Sequence, residues 1–154
     1  MEELIRAMKA AFASEYAFSL KAQNFHWNVE GDDFPQLHAL FERIYDEVYG
    51  SIDDFAENIR KIQAYTPASF FSLQTLSTVQ GQDNIPMDCC DMLQELLDDS
   101  VNLEEQFARA YEIADSNRKY GLANFLADRQ DAHAKHSWML RATLVPDADE
   151  MMPE

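Results

Sequence analysis

The chain is 154 residues long and 47% apolar, with 10 Phe, 6 Tyr and 2 Trp; a domain of that size buries its own core, and a disordered polar chain is excluded. Its 28 acidic residues outnumber 12 basic ones, for a net charge of −16, a field that repels nucleic-acid phosphates and anionic membrane surfaces and attracts cations. No basic leader with an apolar stretch opens the chain, and no apolar run is long enough to span a bilayer, which predicts a soluble, cytoplasmic protein. The two cysteines, Cys89 and Cys90, are adjacent, a geometry that disfavours a bridge between them and suits free thiols in a reducing compartment.

In chain order the periodicity predicts four long helices and a short one. In the first, Leu4, Met8, Ala11, Phe18, Ala22 and Phe25 recur at spacings of three, four or seven, the mark of one buried helical face. It stops around Asn28, before the turn-rich Glu30-Gly31-Asp32-Asp33. Asp33 is the expected N-cap of the second helix, with Gln36 as its capping-box partner and Pro35 tolerated in the first turn. Phe34, Leu37, Phe41, Ile44, Val48, Ile52, Phe55, Ile59 and Ile62 form its stripe, and it ends near Tyr65 because Pro67 cannot continue it.

Residues 66–87 form a long connection, with a short helix expected around Ser69 to Leu76. Asp88 caps the third helix, whose apolar face is Leu93, Leu96, Leu103, Phe107, Ala110 and Ala114. After a polar turn at Ser116 and Asn117 the fourth runs from about Lys119 to Leu144, and Pro146 to Glu154 form a short acidic tail. Short links make two antiparallel hairpins, and the long connection can cross the length of the molecule. The expected fold is therefore all-α: a four-helix bundle with one long crossover connection carrying a short helix, a single domain over residues 1–145 followed by the tail 146–154.

The second helix carries the chemistry. His38 and Glu42 are four residues apart, as are Asp53 and Glu57, and at about 0°, 40°, 60° and 100° around the axis the four share one sector. Imidazole and carboxylate ligands suit iron or manganese better than soft-ligand metals. Glu42 and Asp53 are eleven residues apart, which at ~1.5 Å rise separates them by roughly 16 Å, so one ion cannot touch both within a chain. Two antiparallel copies of the helix about a two-fold near position 47 or 48 would set His38 and Glu42 of one chain beside Asp53 and Glu57 of the other, giving two equivalent sites per dimer.

His26, across the short turn, is placed to complete the His/His/Glu half. Taken singly such pairs also decorate solvated helix faces. Asp46 lies in the same sector as an auxiliary ligand, a mineral-nucleating carboxylate or a solvated acid. His133 and His136, near the apolar stripe of the fourth helix, read as packing or hydrogen-bonded histidines. No Glu-x-x-His occurs, which argues against a di-iron site inside the bundle.

The run Asn24-Phe25-His26-Trp27-Asn28-Val29-Glu30-Gly31, then Phe34, Leu37-His38, Phe41-Glu42 and Asp53 through Ala56-Glu57 with Ile59-Arg60, resembles the signature of the Dps mini-ferritins. Asp128-Arg129 and Lys135-His136-Ser137-Trp138-Met139-Leu140 resemble that family's last helix. The resemblance implies a ferritin-like bundle assembled into a hollow twelve-subunit shell. It further implies Fe(II) oxidised, preferentially by hydrogen peroxide, at interface sites with two iron positions, and ferric mineral stored inside.

Carried over, the metal ligands are His26, His38 and Glu42 from one subunit and Asp53 and Glu57 from its two-fold mate. Trp27 beside the site is either a relay of oxidising equivalents or a packing residue. Glu42 departs from the family's more frequent Asp, and Asp128 would line an acidic three-fold pore. DNA binding, the family's other activity, is not expected, because the N-terminus offers only Arg6 and Lys9 and the C-terminal end is acidic. Two other readings fit the same residues: a shell that sequesters divalent metal without fast turnover, and a structural protein of the same shape with no working site.

Overall fold

The computed structural model describes residues 1–146, which fold into α1 (Glu2–Asn28), α2 (Phe34–Gly50), α3 (Ile52–Lys61), α4 (Phe70–Leu76), α5 (Cys89–Ser116) and α6 (Tyr120–Thr143), with no strand among them. Apart from Pro146, the expected acidic tail lies outside the described residues. α1 pairs with α2 and α5 with α6, while α1 also packs against α3, α4 and α5. With α2 and α3 taken together as one column, this is the expected four-helix bundle, and α4 rides in the crossover.

The second helix differs from expectation in two places. It is broken at Ser51, whose Oγ donates to the Val48 carbonyl at 2.6 Å while its own N–H turns to the same oxygen at 3.1 Å. A hydroxyl that competes for a helix carbonyl loosens the ladder there, and the preceding Gly50 adds backbone freedom. The column then stops at Lys61 rather than Tyr65, because Gln63 takes a positive φ of 66°. Arg60 Nη1 donates to the Ala64 carbonyl at 2.9 Å and fixes this exit.

Caps behave unequally. Asp88 accepts from the N–H groups of Cys90 and Asp91 at 2.9 and 3.3 Å, as expected of an N-cap. Asp33 occupies the N-cap position of α2 but makes no side-chain cap bond, so the capping box with Gln36 does not form. Its backbone, at φ −97° and ψ 16°, is outside the extended region from which a cap side chain reaches the next amides. The two cysteines are unbridged; Cys89 is half-buried, and burial together with the neighbouring Cys89 pushes the exposed Cys90 thiol up.

The crossover is tied to the bundle by polar contacts rather than by its short helix alone. Thr78 N–H donates to Ser14 Oγ at 2.9 Å, and Asn24 Nδ2 donates to the Gln82 carbonyl at 2.9 Å. Lys21, buried on α1, reaches Asp99 of α5 at 2.7 Å. None of the described helices is long and apolar enough to cross a membrane.

Phe55 of α3 lies at the centre of the aromatic core, edge-on to Phe12 of α1 and Phe125 of α6 at 5.9 and 5.1 Å, with Phe107 of α5 at 6.0 Å. It is fully buried, so one side chain joins the three other columns of the bundle. Phe55→Ala is expected to cost about 3–5 kcal/mol, because four columns of helix cannot all relax into the void. Guanidinium unfolding followed by circular dichroism measures it, and a loss below about 1 kcal/mol would mean the core collapses freely there.

Candidate metal centre

His26 and His38 are held by each other. The Nδ1 of His26 bonds the backbone carbonyl of His38 at 2.6 Å, and the Nδ1 of His38 bonds the carbonyl of His26 at 2.6 Å. A carbonyl only accepts, so each Nδ1 donates a proton and the Nε2 of each ring is the nitrogen left for a metal. The rings stack at 3.7 Å with 13° between planes; Phe34 stacks on the outer face of His38 at 4.9 Å, and Tyr45 meets His26 edge-on at 5.3 Å. Backbone carbonyls that fix tautomer and orientation are the usual second shell of metal-binding imidazoles. Two such rings, side by side with Nε2 unused, are a metal-ready pair.

The local sequence explains why they meet. α1 ends at Asn28 with Val29 buried, and Gly31, at φ 119°, turns the chain back to the start of α2. That turn sets the last residues of α1 against the first turn of α2. The reciprocal bonding was not anticipated from the sequence, since nothing in a twelve-residue spacing across a turn encodes it.

The other predicted ligands stand apart. Glu42 is exposed on α2; Asp53 and Glu57 are exposed on α3, beyond the break at Ser51. Within the described residues, Asp53, Asp54 and Glu57 bring carboxylate oxygens within 4.8 Å of one another, and no such group of three includes His26, His38 or Glu42. Asp54 was not singled out in the sequence, although its place beside Asp53 made it visible. The Tyr45 phenol is pushed up by burial and by the Asp46 and Glu42 carboxylates beside it, so it stays protonated next to the histidine pair. Trp27 is 60% exposed and belongs to none of the aromatic pairs among the described residues.

A second polar constellation lies inside the bundle. Arg129 of α6 is buried between two carboxylates: its Nε and Nη2 reach Glu15 Oε2 of α1 at 3.1 Å, and its Nη1 and Nη2 reach Glu47 of α2 at 2.7 and 3.0 Å. His133 Nε2 donates to Glu15 Oε1 at 2.6 Å, and His136 Nε2 to Glu47 Oε1 at 2.8 Å. Ser100, Ser137 and Glu104 extend the network behind His133. His133 and His136 are thus hydrogen-bonded core histidines, one of the two readings left open by their spacing.

Burial alone would push both carboxyls up. For Glu15 the charge and hydrogen bond of His133, then those of Arg129, outweigh it and hold the carboxyl below the usual range. For Glu47 the bonds from His136 and Arg129 take it down to about 2. Burial, only partly opposed by Glu47, pushes His136 down, and its buried Nδ1 has no hydrogen-bond partner among the described residues.

The ferritin-like domain profile matches residues 5–147, nearly the whole chain, and the chain belongs to that family. Within it, the similarities are to Dps proteins and their relatives. General stress protein 20U of Bacillus subtilis is 31% identical over 144 residues, covering 93% of this chain and 98% of that one. The DNA protection during starvation protein of Brevibacillus brevis is 32% identical over 128 residues, covering 81% and 83%. The crystal structure of a Dps protein from Vibrio cholerae O1, described as a member of a broad superfamily of ferritin-like diiron-carboxylate proteins, superposes with a TM-score of 0.88 at 28% identity, covering 94% of this chain and 90% of that one.

The Glu47 carboxyl sets a pH dependence. Its folded pKa lies below the unfolded value near 4.5, so its contribution to stability is complete above that value and is lost as pH falls toward about 2. Glu47→Gln should flatten the fall of melting temperature across this acid window relative to the parent chain. An unchanged acid profile in the variant would show that the depressed carboxyl is not what links folding to protons.

Proposed function

We propose that this chain oxidises Fe(II) at sites shared between two-fold-related subunits and stores the ferric product within a twelve-subunit shell. The observation that carries the reading is the reciprocal lock of His26 and His38, which engages both Nδ1 atoms and leaves both Nε2 atoms for a metal. His26, His38 and Glu42 form one half of each site, and Asp53 and Glu57 of the partner subunit form the other. Eleven residues of helical column separate the halves, too far for one chain to close both around an ion. Likeness to Dps proteins supports the assembly and the substrate.

Hydrogen peroxide is the oxidant that fits a paired site. Two Fe(II) ions each give one electron, the O–O bond breaks, and two hydroxide equivalents form without release of a hydroxyl radical. The carboxylates of Glu42, Asp53 and Glu57 suit the hard ferric product. Where only one Fe(II) is bound, Trp27, exposed beside His26, would supply the second electron that peroxide requires.

His38→Ala and Asp53→Ala should each abolish fast Fe(II) oxidation in stopped-flow measurements. Mixed assemblies of the two inactive variants should regain about a quarter of the parent rate, since random pairing makes half the dimers mixed and each mixed dimer holds one intact site of two. Verified mixed dimers as inactive as the parents would rule out the shared site. The net charge of −16 predicts no retardation of duplex DNA by this chain at near-physiological salt. A salt-sensitive shift in a gel would show that basic residues are gathered where the sequence does not show them.

A further inference from the structure

The bundle core holds a donor set that the proposed iron chemistry does not use. Glu15 on α1, Glu47 on α2, and His133 and His136 on α6 converge from three columns of the bundle, and Glu15 and His133 are completely buried. Two carboxylates and two imidazoles are the ligand types that iron and manganese favour. Bundle interiors of this fold class are where side chains of facing helices hold such ions. What occupies the centre here is the Arg129 guanidinium, with nitrogens within 3.1 Å of oxygens of both carboxylates.

We propose that Arg129 is a built-in counter-cation that keeps divalent metal out of the bundle core, and that Glu15, Glu47, His133 and His136 form a metal-binding constellation closed by its guanidinium. Charge supports this. Glu15 is completely buried while Glu47 is 40% exposed, and against these two carboxylates the guanidinium brings one positive charge where a divalent ion would bring two. Hydrogen bonding supports it as well. Both imidazole Nε2 atoms already face the carboxylates that an ion would bridge.

The consequence is selectivity of place. A divalent ion entering the bundle must displace an arginine bonded to two carboxylates, so the core stays closed while the exposed ligands of α2 and α3 remain accessible. This inference stands apart from the shared-site reading, because its test removes that site in every arm.

In the full chain carrying His38→Ala and Asp53→Ala, adding Arg129→Ala should create binding of one further Co(II) per chain at equilibrium dialysis, with visible d–d absorption that the double variant lacks. Co(II) should also raise the melting temperature of the triple variant and leave that of the double variant unchanged. Arg129→Gln, closer in volume, should behave like the alanine variant. Arg129→Lys, which keeps the positive charge, should gain no cobalt, and His133→Ala added to Arg129→Ala should remove the gain. Folded Arg129→Ala and Arg129→Gln proteins that take up no extra Co(II) would overturn the proposal, as would a lysine variant that takes up as much. Failure of both neutral variants to fold, with or without Co(II), would overturn it too, since the ion was to supply the missing charge.

Discussion

One buried cation organises the bundle. Arg129 has carboxylates on both sides, from α1 and from α2, while it is itself carried by α6. Charges inside a core are tolerated only when paired and fully hydrogen-bonded, and removing one member of such a pair costs about 3–5 kcal/mol because the other is left unpaired. Leucines in contact can slide; a bidentate guanidinium cannot, because its donors are in a fixed fork. The register of three helices is therefore tied at one point, and the apolar stripes fill in around it.

That tie bears on the exposed site. Glu47 lies between Glu42 and Asp53 on the same helical column, one turn before the break at Ser51. Holding Glu47 to Arg129 and His136 fixes the rotation of α2 about its axis, and the direction of Glu42 and Asp46 follows from it. His38 is fixed independently, by its bond to the backbone of His26. Ser51 then ends α2, and α3 restarts with Asp53 and Asp54 in its first turn, where acidic side chains are favoured by the helix dipole. The two halves of the proposed site are thus set on separate segments with a small joint between them.

Much of this was readable in the sequence, and the parts that were not have identifiable causes. The apolar stripes marked each bundle helix because burial of one face imposes the helical period. The crossover helix was readable because Ser69 and Pro67 punctuate it. The break at Ser51 was not, since a hydroxyl turning onto a nearby carbonyl leaves the periodicity of Val48, Ile52 and Phe55 intact. Glu15 was a visible conflict that periodicity alone could not interpret: it stands seven residues after Met8 and seven before Ala22, a core position holding a charge. Arg129, His133 and His136 interrupt the stripe of Leu122, Leu126 and Leu140 in the same manner. Charged residues on the buried faces of two helices announce one another, but which pairs with which is decided by tertiary register, and one sequence does not contain it.

The contrast between the two constellations is physical. In the pair at the α1–α2 turn, histidines are oriented by backbone carbonyls, and those bonds consume Nδ1 and leave Nε2 without a hydrogen bond among the described residues. In the core, histidines are oriented by carboxylates, and those bonds consume Nε2. The same side chain is open to a metal in one place and closed in the other because different atoms satisfy it. Carboxylates follow the same rule: Asp53 and Glu57 are exposed and form no ion pair among the described residues, whereas Glu15 and Glu47 are held by an arginine. Ligand type alone would have favoured neither location, so the distribution of hydrogen-bond partners around the ligands is what separates a place where an ion can enter from one where its position is already taken.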